Sequence, residues 1–198
     1  MENRFMEFYI HRSMNAKKIT YYINNNNIEG TANITLGILP IKITVQNSNH
    51  CIVLKQSPLI LKLINALPIL SYETFTPFKI YKDSIFCGRG THVLFRPIFK
   101  FKMEGNRYEL RHHSNNYISL IRENKQIALF QKKSLSISEK RSYFVKCINE
   151  AEILDIIMLF CAFADVIFYP NNKSVAYIKW DKTYVINDKY ASRTYWNP

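Results

Sequence analysis

The hydrophobic pattern changes character once along the chain. Up to about residue 150, apolar positions come in short runs that often alternate with polar ones. Ile153–Tyr169 is then almost continuously apolar, unbroken from Ile156 to Ala164 between Asp155 and Asp165. Alternation at a period of two predicts half-buried strands. A helix that is apolar all round must be covered on every side, by protein or by lipid. Asn149 and Glu152 have the spacing of a capping box, and Pro170, lacking an N–H, ends the segment. Crossing a bilayer takes about 20 apolar residues. This stretch is only 17 residues long, two of them aspartates near its ends, so a buried core helix is the expectation.

The alternating part predicts strands over Arg4–His11, Lys18–Ile23, Thr31–Leu39, Ile41–Gln46 and His50–Lys55. Asn24–Asn27 is expected to turn, with Gly30 closing the loop, and Pro40 separates two strands because it cannot sit inside a central one. Pro58–Pro68 is apolar and bounded by proline, and suits either a short helix or an excursion between strands. Pro77–Asp83 alternates, Ser84–Gly90 contains a glycine-bearing bend, and His92–Met103 is a long aromatic strand. Two hairpins follow, Arg107–His112 after a turn at Glu104–Asn106, then Tyr117–Arg122 with Gln126–Lys132. Ser134–Lys140 is a polar loop, Arg141–Ile148 feeds the helix, and Ser174–Trp180, Thr183–Ile186 and Tyr190–Pro198 lie beyond Pro170. A sheet that must lose its edges and a helix that needs cover on all sides answer each other if the sheet closes around the helix. About a dozen strands give the width. The expected fold is therefore mainly β (α+β), a closed antiparallel β-barrel of about twelve strands around a buried α-helix near the C-terminus, in one domain over residues 1–198.

Composition narrows the functional classes. Five glycines in 198 residues leave little room for Gly-rich phosphate loops, while 13 Phe and 13 Tyr argue for a large aromatic interior. The start of the chain lacks the uninterrupted apolar stretch of a secretory signal. Cys51, Cys87, Cys147 and Cys161 are widely spaced within apolar runs, which fits reduced thiols and a cytoplasmic location better than a disulfide framework. The net charge of +12 is concentrated between residues 76 and 150, where 15 Lys and Arg face six acids. Such a field attracts phosphate, in nucleic acid or on an anionic membrane, although an Asn-, Ile- and Lys-rich composition alone also produces it.

Three stretches resemble the tubby C-terminal-like superfamily, which includes tubby proteins, phospholipid scramblases and LURP-one-related proteins. They are Thr76–Arg89 (TPFKIYKDSIFCGR), Tyr108–Leu110 with Tyr117–Phe130 (YEL and YISLIRENKQIALF), and Tyr143–Ile148 (YFVKCI) running into the apolar helix with Asp165 near its end. The likeness covers residues 76–169 and consists of hydrophobic patterns rather than catalytic signatures. It implies a closed barrel of about twelve strands threaded by its helix. In tubby proteins a Lys/Arg cluster on the barrel binds phosphoinositide headgroups, but those basic positions have no one-to-one match here. The 28 residues after Pro170 and the N-terminal third depart from the pattern.

Little in the chain points to catalysis. His112 and His113 are adjacent and would face opposite ways on a strand, so they cannot chelate one metal together. His11, His50 and His92 lack companions at ligand spacing, and no nucleophile elbow, phosphate loop or calcium loop is present. No catalytic residue, cofactor or metal is expected. Glu150, Glu152 and Asp155 suit the positive start of a helix, whereas Asp165, near the other end, is expected to accept hydrogen bonds at the barrel mouth. The functional lead is the basic set Arg89, Arg96, Lys100, Lys102, Arg107, Arg111, Arg122, Lys125, Lys132 and Lys133. Lys100 and Lys102 share a strand face, and the hairpin brings Arg107, Glu109 and Arg111 beside them. These residues mark a binding or scaffold module that contacts anionic phospholipid headgroups or a protein partner, with a nucleic-acid binder as the alternative. A hydrolase would need a pocket of convergent titratable groups, and a scramblase would need the helix in lipid rather than in the barrel.

Overall fold

The computed structural model describes residues 5–14, 18–23, 31–35, 41–47, 49–56, 78–92, 98–113, 116–133, 142–150 and 153–168. Twelve strands run through them: β1 (Phe5–Met14), β2 (Lys18–Ile23), β3 (Thr31–Thr35), β4 (Lys42–Gln46), β5 (Cys51–Gln56) and β6 (Phe78–Lys82), then β7 (Ile85–His92), β8 (Ile98–Met103), β9 (Asn106–His112), β10 (Tyr117–Arg122), β11 (Lys125–Lys133) and β12 (Ser142–Ile148). Each pairs antiparallel with its neighbours in sequence. β1 then pairs with β12, from Phe5 opposite Ile148 to His11 opposite Ser142, which closes the sheet into a barrel. Closure removes the exposed edges that an open sheet would offer to other chains.

Most inward positions are apolar and most outward ones polar, as in β4, where Ile43 and Val45 are buried between Lys42, Thr44 and Gln46. Three hairpins at one end of the barrel turn on two residues, Asp83–Ser84, Glu104–Gly105 and Glu123–Asn124, all at positive φ. That is the backbone twist that suits two-residue hairpins, and only one of the six residues is a glycine.

The helix α1 (Ile153–Phe168) fills the barrel, with Ile157 to Asp165 buried without a break. Its backbone runs closest to β3 and β4, where the wall offers Ala32, Ile34, Ile43 and Val45. On the far side rings fill the wider gap. Phe163 stands edge-on to Phe78, Phe99 and Phe101 at 5.0, 5.1 and 5.2 Å, and Phe160 packs on Phe101 and Tyr108. Edge-to-face pairs add about 0.5–1.5 kcal/mol each beyond the area they bury.

Two expectations need correction. The turn lies at Asp83–Ser84, ahead of the glycines, and the rest of Ser84–Gly90 runs on as β7 with only a pairing irregularity opposite Ile80 and Tyr81. The glycines serve close packing instead. A Cβ at Gly90 would lie 2.1 Å from the Phe101 ring, and one at Gly88 would lie 2.4 Å from the Lys102 carbonyl oxygen. His92 ends β7 rather than opening the next strand. The predicted turn at Asn24–Asn27, Pro58–Pro68, Ser134–Lys140, Glu152 of the capping box and the segments beyond Pro170 lie outside the described residues.

All four cysteines are free, Cys147 and Cys161 buried, Cys51 and Cys87 half-buried. Burial pushes the Cys147 thiol up to about 12 and raises that of Cys161, which also faces Asp165. Because the thiolate is the reacting form and the reagent must reach it, a disulfide reagent is expected to titrate only Cys51 and, more slowly because burial raises it too, Cys87 in native buffer, and all four thiols in denaturant. Four fast thiols in the native chain would contradict a helix enclosed by the barrel.

Candidate functional site

The outward positions of six consecutive strands carry cations in direct cross-strand register. Lys42 pairs with Lys55, Lys55 with Lys79, Lys79 with Arg89, Arg89 with Lys102, and Lys102 with Arg107, across β4 to β9. Neighbouring strands lie about 4.8 Å apart, so the ladder spans about 24 Å of the outer wall. All six side chains are exposed, and among the described residues none joins an ion pair. Like charges directly opposite destabilise a sheet. The arrangement therefore works against the fold unless an anion lies over it.

The ladder runs into a cleft of about 440 Å³ on the outside of β7–β9, bordered by Arg89, Lys100, Lys102 and Arg107. Two acids share it. Glu109 binds Arg111 and lies 3.5 Å from Lys100, and Glu123 accepts the Arg107 backbone N–H at 2.6 Å while its own N–H donates to the Arg107 carbonyl. The second contact pins the end of the ladder.

This geometry redistributes the basic set read from sequence. Arg89, Lys100, Lys102 and Arg107 converge. Arg111 is turned to Glu109, and Arg122 makes a two-pronged contact with Glu150 at 2.8 and 2.9 Å. Lys125, Lys132 and Lys133 lie on β11 and do not line the cleft, with Lys133 over the Phe144 ring. Arg96 lies outside the described residues. Lys42, Lys55 and Lys79 were missed. The signal available for them was local, since each is a lone cation between two inward positions, Ile41 and Ile43, Leu54 and Gln56, or Phe78 and Ile80. Their alignment across strands was not legible.

The remaining polar groups have structural roles. Asp165, buried on α1, accepts hydroxyl hydrogen bonds from Tyr21, at 2.6 Å, and from Tyr143, and pairs with the Arg12 guanidinium at 3.2 Å. His113 bonds Ser119 at 2.8 Å, while His112 stacks on Phe168 and is lowered to about 4, chiefly by burial and then by His113 and Lys132. Asn47 donates to Asp155 and accepts the N–H groups of Asn49 and His50. Burial raises the Asp155 carboxyl, and Asp83 is lowered first by the Cys51 N–H and then by His50. Among the described residues no group of three His, Cys, Asp or Glu side chains could hold a metal, and no helix is long and apolar enough to cross a membrane.

Diametrically across the barrel, the outer faces of β12, β1 and β2 carry an aromatic stripe. Phe144 meets Tyr9 at 5.3 Å, Tyr9 stacks on His11, and His11 meets Tyr22 at 5.6 Å. The chain thus belongs, by its architecture, to closed twelve-stranded antiparallel barrels that hold a helix inside. No protein-family model, curated protein or solved structure matches it.

Proposed function

We propose that this chain is a non-catalytic, tubby-like binding module that docks on anionic phospholipid headgroups through its cation ladder. The observation that carries the reading is the register of Lys42, Lys55, Lys79, Arg89, Lys102 and Arg107, like charges held side by side without counter-ions of their own. Each Lys or Arg near an anionic surface contributes about 1 kcal/mol, screened over a length of about 10 Å at 0.1 M salt. Nucleic acid is the second reading, and the aromatic stripe favours it, because bases stack on such platforms. The stripe centres on β1, however, six strands from β7 in the ring, so the rings and the ladder cannot follow one strand together.

The test compares two charge reversals of equal size by co-sedimentation with phosphatidylcholine–phosphatidylserine vesicles at low salt. Lys79→Glu/Arg89→Glu is expected to weaken binding by about thirtyfold or more, from the loss of two cations at the surface. Lys125→Glu/Lys133→Glu, off the ladder, is expected to stay close to wild type. Equal losses from both would reduce the effect to net charge and remove the ladder's role.

A further inference from the structure

We propose that the tip of the β6–β7 hairpin, Ile85 and Phe86, is an apolar wedge that enters the interfacial zone of an anionic bilayer while the ladder holds the phosphates. The inference rests on the headgroup-binding reading above and assigns that surface its orientation and its second anchor. Ile85 is 72% exposed and Phe86 56%, an isoleucine and a phenylalanine side by side in water at the end of the barrel.

The backbone holds them there. The turn before them, Asp83–Ser84, has φ of 50° and 69° without a glycine, a conformation that persists only when its surroundings fix it. Here β5 and the residue before it supply the fixing. The Asp83 N–H donates to the Cys51 carbonyl at 2.8 Å, the Cys51 N–H donates to the Asp83 carboxylate at 2.8 Å, and His50 Nδ1 lies 3.1 Å from the other carboxylate oxygen. The same contacts turn Asp83, the acid of this hairpin, back towards the barrel, and Glu104 at the neighbouring tip is paired with Lys82 at 3.1 Å.

The residues behind the tip are layered as a membrane surface is layered. Phe86 and Ile85 come first. Tyr81 follows, edge-on to Phe86 at 5.9 Å, with the Lys55 ammonium 5.1 Å from its ring centre. Lys79 and Arg89 stand beyond. Arg89 lies four positions beyond Ile85, about 13 Å along the strand, and flexible cationic stems reach part of that distance. Apolar residues at the acyl boundary, an aromatic at the interface and cations at the phosphates are the order that interfacial proteins adopt. Stable attachment needs two signals, and charge alone is released by salt. Nucleic acid admits an apolar side chain only between unstacked base steps, at about a few kcal/mol per step, whereas a bilayer takes up both tip residues with the cations at its phosphates, so the wedge favours lipid.

Ile85→Ser/Phe86→Ser leaves the core and the ladder untouched. It is expected to weaken binding to phosphatidylcholine–phosphatidylserine vesicles about tenfold or more, because two exposed apolar side chains lose their lipid contact. It should also make what binding remains fully releasable by salt. In a second measurement, Phe86→Trp is expected to add fluorescence that acyl-chain-brominated lipid quenches beyond the wild-type signal. If the serine variant binds as wild type does and the new tryptophan is not quenched, the wedge is refuted and headgroup binding stands. If the wild type ignores these vesicles at low salt but shifts single-stranded RNA in a gel, both are refuted.

Discussion

Asp165→Ala is expected to lower the unfolding free energy by about 3–5 kcal/mol, the cost of breaking a buried ion pair from one side. Arg12 is 3% exposed and Asp165 2%, so removing the carboxylate leaves a guanidinium in the core and deprives the Tyr21 and Tyr143 hydroxyls of their acceptor. Against a total of about 5–15 kcal/mol for a domain, that brings the barrel near its threshold. The four residues come from β1, β2, β12 and α1, so the cluster ties the helix to the seam where the first and last strands meet. Urea unfolding followed by circular dichroism should show the midpoint falling with little change in slope. Arg12→Met/Asp165→Leu should recover most of the loss, since replacing both charges by apolar groups is often neutral.

The tyrosines add a pH dependence. Burial first, and then the Asp165 carboxylate, raise both phenols well above their ordinary value. Above about pH 10 the unfolded chain loses these protons and the folded one keeps them, so stability falls as pH rises. The slope is about 1.4 kcal/mol per pH unit for each phenol. Tyr21→Phe/Tyr143→Phe should flatten it. A loss under about 1 kcal/mol in Asp165→Ala would mean that the cluster carries little of the closure.

Local pattern alone placed most of the barrel, because both of its signals are local. Lys18–Ile23 and Tyr117–Arg122 form the strands expected from alternation and β-branched content, and the all-round apolar segment forms the helix expected of it. The failures come from ambiguity between local and distant causes. Gly88 and Gly90 suggested a bend, yet they are glycines because residues more than ten positions away, Lys102 and Phe101, press against them. Asp165 was readable as a carboxylate that needed partners, but Tyr21 lies 144 residues earlier. The ladder failed for a third reason. Which outward cations align depends on the two-residue turns Asp83–Ser84 and Glu104–Gly105 and on the irregularity between Ile80 and Tyr81, and a slip of one residue would turn the slipped strand's cations to the other face.

Phe163→Ala is expected to cost about 3–5 kcal/mol, the range for deleting a buried ring whose neighbours cannot close over the gap. The neighbours here are poorly placed to do so. Phe78, Phe99 and Phe101 sit on strands β6 and β8, whose positions are fixed by the hydrogen-bonded ladder on either side, and each meets Phe163 edge-on within 5.2 Å. Phe163→Leu keeps more of the volume and should cost less. The same variant separates core from surface. The cations of the outer wall owe their register to backbone pairing rather than to the rings, so below its melting temperature Phe163→Ala should bind anionic vesicles as the wild type does. Wild-type stability in Phe163→Ala would show that the ring has no enclosed position to lose. A helix seated inside a closed sheet does not allow that outcome, because its interior side chains have no solvent to turn towards.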